Sequence, residues 1–280
     1  MRACETLFRI KNAEYSVFFG DTVATSSPTD ARCASVAGYC PLTSAAGGRG
    51  DKVMNDYTIT PIARIRSDFP EKFGIPRQSG VVGSLTARIV FEPAYRNADA
   101  LRGLEGFSHI WLIWQFSANL RENWRPTVRP PRLGGNERMG VFATRSPFRP
   151  NALGLSCVKL LGIEPSADGP VLTVAGADLM DGTPIFDIKP YLPYADCIPD
   201  ATGGFAPDSG AKLAVTIPET LLQKVPADKR EALRGVLEND PRPRYQDDSA
   251  RVYKLDFAGL HIEFQVDGRA LRVTDIRHLI

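Results

Sequence analysis

The chain has 280 residues, of which 43% are hydrophobic and 24% are charged, and its formal net charge at neutral pH is +2. This composition is typical of a globular protein with one large or two smaller domains, and it excludes a fibrous or wholly disordered chain. The longest apolar run, around Ile110 to Ile113, is too short to cross a bilayer, so no membrane segment is expected.

Residues 1–53 differ from the rest of the chain. They are rich in small and polar residues and have no sustained hydrophobic period. Met54 then opens the first segment with strand character. We therefore expect residues 1–53 to be a disordered extension and Met54 to be the natural start. The alternatives are a transit peptide or a small ordered arm, although the segment is not an Arg-rich amphipathic helix.

From Tyr57 to about Pro199, short apolar segments alternate with turn residues. The predicted strands are Thr58–Arg66, Gly83–Phe91, Ser108–Phe116, Met139–Ala143, Leu155–Ile163, Val171–Asp178 and Ile185–Ile188. One short helix is expected near Asn97–Leu104. Many short strands without long helices between them predict a mainly β fold, a barrel or a sandwich, over residues 54–200.

The pattern changes after Gly203-Gly204. Segments Glu219–Lys224 and Ala227–Glu238 carry an apolar stripe at helical spacing. The chain then returns to strand patterning from Val252 to Ile276, with a hairpin turn at Val266–Arg269. These features predict a smaller α+β domain over residues 205–280.

The cysteines and histidines argue against a metal site. The five cysteines include no C-x-x-C pair, and the three histidines show no ligand spacing. No disulfide pattern or signal peptide is recognisable either. We therefore predict no bound metal and a cytoplasmic protein.

Arginine is concentrated in one region. Between Arg121 and Arg149 there are seven arginines, two glutamates and no lysine. Three of the arginines, Arg125, Arg129 and Arg132, lie in the proline-rich loop WRPTVRPPRLGGN, whose Trp124 could stack on a base. Such a cationic surface suits nucleic-acid phosphates. A solvated or internally paired cluster is the alternative.

The stretch GVFATRSPFRPNALGLS (140–156) places Arg145 and Arg149 next to Pro147 and Pro150. Prolines fix φ and restrict the preceding residue, so the loop is stiff and loses little entropy on binding. The alternative is a rigid barrel corner with exposed arginines. A second loop, DLMDGTP (178–184), reads as a turn. Fingerprints of Rossmann, P-loop, serine-hydrolase and zincin sites are absent from the sequence.

Four stretches together carry a family resemblance: KFGIPRQSG, WRPTVRPPRLGGN, GVFATRSPFRPNALGLS and DGTPIFDIKPYLPYAD. From about Tyr57 to Asp196 the chain resembles the TsaA-like family, closest to its bacterial tRNA methyltransferases. The resemblance implies a small β-barrel that binds S-adenosylmethionine without a Rossmann fold. It implies methyl transfer to N6 of N6-threonylcarbamoyladenosine at position 37, in the tRNA anticodon loop. It also implies a homodimer, with the cofactor near the subunit interface, and a C-terminal domain that contacts tRNA.

The matching motifs imply particular site residues. The implied cofactor contacts are Gln78, Ser79, Gly80, Phe116, Ser117, Arg145, Leu155, Asp181, Gly182, Thr183 and Pro184. Ser117 departs from the family, which often has histidine there, so a ring contact at that position is in doubt while a backbone contact survives. Phosphate contacts are expected from Arg125, Arg129, Arg132 and Arg149.

The modified N6 nitrogen is a weak nucleophile with an acidic N–H, so a general base could assist its methylation. Asp181 is the first candidate, followed by Asp187 and Tyr191; a turn-capping role is the alternative for Asp181. Two other functions stay open: a non-catalytic RNA-binding β-barrel, and a methyltransferase acting on a different RNA or on a small molecule.

Overall fold

The computed structural model describes residues 58–119, 123–208, 210–242 and 248–279, so the predicted extension 1–53 lies outside the described residues. The N-terminal part is built from β1 (Ala63–Arg66), β2 (Thr86–Phe91), β3 (His109–Gln115), β4 (Thr127–Val128), β5 (Met139–Gly140), β6 (Leu153–Glu164), β7 (Val171–Ala175) and β8 (Pro184–Pro190). Six of these strands close into an antiparallel barrel in the order β1-β2-β7-β6-β3-β8, and β4 and β5 form a separate two-stranded ribbon.

The barrel follows from the period-two alternation of its strands. In β3 the burial alternates strictly, and Ile110, Leu112 and Trp114 point inward while their neighbours are half exposed. They meet the fully buried side chains of Ile65 and Ile89 from β1 and β2. Alternating residues face opposite sides of a strand, so each strand contributes one apolar row to the core.

Some predicted elements differ in extent. β1 begins at Ala63 rather than Thr58; Pro61 lacks the N–H that a strand ladder needs. Only Met139–Gly140 of the predicted fourth strand is β structure, because the chain turns into a 3₁₀ helix at Val141–Ala143. The expected helix near Asn97–Leu104 is two 3₁₀ turns separated by Gly103, which has a φ of +86°.

The C-terminal part is a helix-covered sheet. After the short helix α1 (Pro193–Asp196) come β9 (Ala214–Thr216), α2 (Glu219–Leu222), α3 (Arg230–Glu238), β10 (Tyr253–Phe257), β11 (Leu260–Asp267) and β12 (Ala270–His278). The sheet order is β10-β11-β12-β9, with β9 parallel to β12. The predicted fold class is confirmed: a mainly β chain with a closed barrel and a smaller α+β domain.

Two hairpin turns join the last three strands. The predicted turn lies at Gly268-Arg269, between the paired residues Asp267 and Ala270. A second turn, not predicted from the sequence, lies at Ala258-Gly259, where φ is +52° and +75°. Positive φ at both central residues is the geometry of a type I′ hairpin turn, and alanine is an unusual residue for it.

The segment between β1 and β2 packs on the C-terminal domain. Phe69, Val82 and Leu85 belong to the same buried cluster as the sheet residues, and the rings of Phe69 and Phe257 lie 5.3 Å apart. Lys229 Nζ bonds the carboxylate of Asp68 at 2.7 Å, with the two side chains only 20% and 15% exposed. The connection between β1 and β2 is thus packed into the hydrophobic core of the C-terminal domain.

Candidate functional site

A cavity of about 370 Å³ opens at one end of the barrel. At this end β1, β3 and β7 finish and β2, β6 and β8 begin, so the loops that join them meet. The residues that line the cavity are 72, 75–78, 114–119, 145, 147, 149, 153–155, 178, 180 and 183. Three of the four motif stretches that carry the resemblance therefore meet at one rim.

The structure separates the predicted cofactor residues into two groups. Those on the cavity wall are Gln78, Phe116, Ser117, Arg145, Leu155 and Thr183. The others lie beside it: Ser79, Gly80, Asp181, Gly182 and Pro184 do not line the cavity. Ser79 Oγ accepts a hydrogen bond from the Cys157 N–H at 3.1 Å, and the Gly80 N–H donates to the Gly176 carbonyl at 2.8 Å. These two residues fix the backbone behind Gln78.

Polar contacts connect the loops around the cavity. The Arg145 guanidinium donates to Oε1 of Gln78, which joins the loop before β6 to the loop after β1. Lys72 Nζ donates to the Ala118 carbonyl at 3.0 Å and to Oδ1 of Asn119 at 2.8 Å. Because Lys72 and Arg145 both line the cavity, the site offers cationic donors to an anionic group.

The end of β3 supplies an aromatic surface. The rings of Trp114 and Phe116 lie 4.3 Å apart at an angle of 60°, and both residues line the cavity. Trp114 is buried in the barrel core, and Phe116 is partly exposed above it. Ser117 is exposed and opens a 3₁₀ turn, so its side chain and backbone are accessible at the rim. A π face in this position is suited to a cation or to a purine.

Asp181 lies outside the cavity wall. Its carboxylate accepts the Ser67 N–H at 3.0 Å and lies 3.5 Å from the Arg66 guanidinium, while its N–H donates to the Phe69 carbonyl. These contacts join the β7–β8 loop to the end of β1, which is a structural role for the Asp181 carboxylate. The role of Asp181 as general base stays a prediction.

The other two candidate bases, Asp187 and Tyr191, also lie outside the cavity wall. The carboxylate of Asp187 pairs with Lys189 Nζ at 2.9 Å, and Tyr191 packs against His109 and Trp111, with ring centroids 6.2 and 5.8 Å away. Neither side chain lines the cavity.

Sequence reasoning missed Asp178 as a functional residue. Asp178 lines the cavity, and its carboxylate accepts a hydrogen bond from Ser156 Oγ at 2.6 Å. Burial raises the pKa of the Asp178 carboxyl above its ordinary value, and the hydrogen bonds it receives and the charge of Arg145 offset only part of that effect. The signal that could have found it is a single carboxylate inside the apolar run VLTVAGADLM, next to the buried Ala177 and Leu179.

The predicted phosphate-binding arginines are not equivalent. Arg125 and Arg129 are exposed on the loop around β4. Arg132 forms an ion pair with Asp208 at 3.7 Å. Arg149 lines the cavity together with Arg145 and donates to the Thr144 carbonyl at 3.3 Å, so the structure does not separate these two arginines as the sequence interpretation did.

An aromatic pair lies beside the exposed arginines. Trp124 and Phe142 are stacked with centroids 6.2 Å apart, and they are 49% and 72% exposed. Phe142 is three positions before Arg145, so this pair and the cavity rim share one loop. Exposed stacked rings next to guanidinium groups are suited to single-stranded nucleic acid.

Among the described residues, no cluster of histidine, cysteine and acidic side chains has the arrangement needed to hold a metal ion. Within the same residues, no helix is long and apolar enough to cross a membrane.

Comparison with known proteins gives the family. Residues 64–197 match the model of the tRNA-methyltransferase O N-terminal domain, and residues 210–279 match the TrmO C-terminal domain. The chain is 42% identical to the tRNA (adenine(37)-N6)-methyltransferase of Escherichia coli over 229 residues, which cover 79% of this chain and 97% of that protein.

Two further similarities agree with that match. A Pseudomonas aeruginosa protein named RcsF, described as a candidate S-adenosylmethionine-dependent methyltransferase, is 42% identical over 68% of this chain and 84% of its own length. The crystal structure of TrmO from P. aeruginosa superposes with a TM-score of 0.67 at 32% identity, covering 82% of this chain and all of that one.

Proposed function

The chain belongs to the TrmO family, and we propose that it is an S-adenosylmethionine-dependent methyltransferase that methylates N6 of adenosine 37 in tRNA. The observation that carries this proposal is the convergence of three separated sequence motifs on one cavity at the barrel rim. Membership in a family whose E. coli relative is named for this reaction supplies the substrate.

The cavity suits the methyl donor in size and chemistry. Its volume, about 370 Å³, falls in the range of small-molecule sites. Arg145 offers a charged, forked donor to a carboxylate, and the aromatic pair Trp114–Phe116 offers a π face to a sulfonium cation or an adenine. The donor brings an activated methyl group, so the protein's task is to align the reacting atoms and exclude water.

We assign the cofactor contacts to the wall residues Gln78, Phe116, Ser117, Arg145, Leu155 and Thr183. Their neighbours Ser79, Gly80, Asp181, Gly182 and Pro184 do not line the cavity, and we assign to them the role of shaping the backbone behind the wall residues. Thr183 is 3% exposed and its Oγ1 is already bonded to the Met180 carbonyl, so its contact with a ligand would come from its methyl group or backbone.

The RNA substrate is proposed in finer detail as a tRNA whose adenosine 37 already carries an N6-threonylcarbamoyl group. That nucleotide is in the single-stranded anticodon loop, so its base can enter the cavity without opening a duplex. The exposure of Arg125, Arg129 and the stacked Trp124–Phe142 pair supports a role for them in holding the phosphates and a neighbouring base. A tRNA substrate also supports a cytoplasmic location for the enzyme.

A homodimer is part of the proposal. Leu155 and Leu161 on the outer face of β6 are 54% and 48% exposed, and Tyr194 and Ile198 after β8 are 87% and 65% exposed. Four exposed large apolar side chains of this kind are suited to a subunit contact. Since Leu155 also lines the cavity, the contact would lie close to the cofactor. Analytical ultracentrifugation would test it, and a monomer at micromolar concentration would contradict it.

The function is tested by mass analysis of tRNA nucleosides after incubation with the full chain and S-adenosylmethionine. The substrate is tRNA carrying threonylcarbamoyladenosine, and tRNA lacking that group is the control. We expect N6-methylation of the first and not of the second. Methylation of neither RNA, with the cofactor still bound, would point to another RNA or to a small molecule. If the protein binds RNA but does not bind S-adenosylmethionine, the non-catalytic RNA-binding barrel would be favoured.

A further inference from the structure

A chain of hydrogen bonds runs from the barrel core to the cavity. Trp114 Nε1 donates to Ser156 Oγ at 2.9 Å, and Ser156 Oγ donates to the Asp178 carboxylate at 2.6 Å. Ser156, in the middle, is 1% exposed, whereas Trp114 and Asp178 both line the cavity. Asp178 is therefore the acidic group of this chain that a ligand in the cavity can meet.

We propose that Asp178 is the general base of the methyl transfer, a role that rests on the proposed function of this cavity. The motifs had pointed to Asp181 instead, whose carboxylate is engaged by Ser67 and Arg66 outside the cavity. Asp178 is the acidic side chain of the cavity wall; its charged neighbours there are Lys72, Arg77, Arg145 and Arg149.

The carboxylate keeps room for a proton from the substrate. An ionised carboxylate has about four acceptor positions. Within the described part of the chain, one donor is in hydrogen-bonding geometry with that of Asp178, the hydroxyl of Ser156 at 2.6 Å, so acceptor positions remain for a substrate proton. This hydrogen bond orients the carboxylate, as a base within hydrogen-bonding distance of its target must be oriented.

The reaction explains why this substrate needs a base. The lone pair of a carbamoylated N6 is delocalised into the purine and into the carbonyl group, so the neutral nitrogen is a poor nucleophile. In the step we propose, the N6–H proton passes to the Asp178 carboxylate while a bond forms between N6 and the methyl carbon. The bond between that carbon and sulfur breaks, and its electron pair stays on sulfur, which becomes a neutral thioether.

The environment of Asp178 is suited to this exchange. Burial raises the pKa of the Asp178 carboxyl, and Arg145 is the charged side chain that lowers it in part. A carboxylate with a raised pKa is a stronger base than an exposed one.

The test compares Asp178→Asn with Asp168→Asn in the full chain. Asp168 is a 76% exposed carboxylate in the β6–β7 turn, and it receives the same chemical change away from the cavity. Single-turnover methylation is measured on tRNA with threonylcarbamoyladenosine, and S-adenosylmethionine binding is measured by calorimetry. We expect Asp178→Asn to slow the transfer by about 10²–10⁴-fold while the cofactor Kd changes less than about threefold. The Asp168→Asn variant should match the wild type.

Two results would overturn the role. One is a cofactor affinity that falls in step with the rate, which would make Asp178 a ligand of the methyl donor. The other is a rate that stays near the wild-type value. If the wild type itself does not methylate this tRNA, the proposed substrate fails first, and Asp178→Asn is then compared on whichever RNA the wild type does methylate.

A second variant separates chemistry from folding. Ser156→Ala removes a hydrogen bond that favours the ionised carboxylate, so the pKa in the pH–rate profile should move upward. In the wild type the rate should rise with pH and then level off, because the base acts in its ionised form. Asp178→Glu should recover part of the rate with a displaced profile. If the pH–rate profile of Ser156→Ala is the same as that of the wild type, the proposal is contradicted, whatever the rate of Asp178→Asn.

Discussion

Trp114 on β3 and Gly154 on β6 are directly opposite each other, and the indole of Trp114 occupies the space that a side chain at position 154 would need. A Cβ built on Gly154 would lie 2.3 Å from Cε2 of the indole. The same indole carries the Nε1 that donates to Ser156. The glycine therefore sets the position of the first donor in the chain that ends at Asp178.

Gly154→Ala should displace the indole and weaken that chain. Overpacking a buried site costs about 1–3 kcal/mol, so the free energy of unfolding should fall by that amount. Affinity for S-adenosylmethionine should fall as well, because Trp114 lines the cavity. Denaturant titration and calorimetry measure the two effects. Gly162→Ala on the same strand is the control, since nothing lies within 4 Å of its added Cβ. Equal behaviour of the two variants would contradict the argument.

Replacing Asp178 by asparagine should not destabilise the fold at neutral pH. The folded-state pKa of this carboxyl is raised from its ordinary 3.8, so its contribution to stability is fully present below that value and is lost as pH rises through the raised pKa. An asparagine escapes that loss. The melting temperature of Asp178→Asn should therefore equal or exceed that of the wild type at pH 7, and the advantage should disappear below about pH 4. A variant that melts lower at pH 7 would show that the charge stabilises the fold.

Arg145 should matter through its fork as well as its charge. Arg145→Lys keeps a cation but cannot hold a carboxylate with two parallel hydrogen bonds. Loss of a hydrogen bond to a charged group costs about 1.5–3 kcal/mol, so the Kd for S-adenosylmethionine should rise by about 10- to 100-fold. Arg102→Lys is the matched control, because Arg102 is 80% exposed and pairs with Asp99 away from the cavity. An unchanged Kd for Arg145→Lys would remove Arg145 from the cofactor site.

The exposed arginines should determine the salt dependence of tRNA binding. Each phosphate contact removed lowers the slope of log K against log salt by about 1, so Arg125→Ala and Arg129→Ala should each do so. Trp124→Ala should weaken binding by about 1–3 kcal/mol and leave the slope unchanged, since stacking does not depend on counterions. Filter binding at several salt concentrations gives both quantities. Arginine variants that keep the wild-type slope would place the phosphates elsewhere.

Lys229→Ala should destabilise the whole described chain from residue 58 onward. It leaves the carboxylate of Asp68, only 15% exposed, without its cation. Loss of a hydrogen bond to a charged group costs about 1.5–3 kcal/mol, and because this pair is only partly buried the loss should lie at the lower end of that range. Replacing Asp68 and Lys229 together with apolar residues should cost less than Lys229→Ala alone. Denaturant unfolding of the two variants checks this, and a double variant as unstable as the single one would contradict it.

The sequence was sufficient for the fold class because strand alternation is a local signal. In β3 every second residue is apolar and buried, and the glycines and prolines around it mark the turns. Strand ends were harder to place. β1 starts later than predicted because Pro61 has no N–H for the strand ladder, and the turn at Ala258 requires a positive φ that alanine rarely adopts. Those features depend on the tertiary context that enforces them.

The site could be predicted only as far as its motifs reach. Loop motifs bring Gln78 and Arg145 to one cavity, but the motif that contains Asp181 could not reveal that the neighbouring Asp178 is the one facing inward. Which of two carboxylates three positions apart faces a cavity depends on how the loop crosses the end of β1. Asp181 accepts its hydrogen bond there from the N–H of Ser67, which is more than a hundred positions away in the sequence.

The segment between β1 and β2 also has a consequence during synthesis on the ribosome. Phe69, Val82 and Leu85 are translated early, but their packing partners, such as Phe257 and Leu255, emerge near the end of the chain. Until then the nascent barrel carries an apolar loop with no surface to cover it, and this is the loop that holds Gln78. Completion of the ligand cavity therefore waits for the last strands, and a ribosome that stalls before β10 would leave a barrel that is a ready client for chaperones.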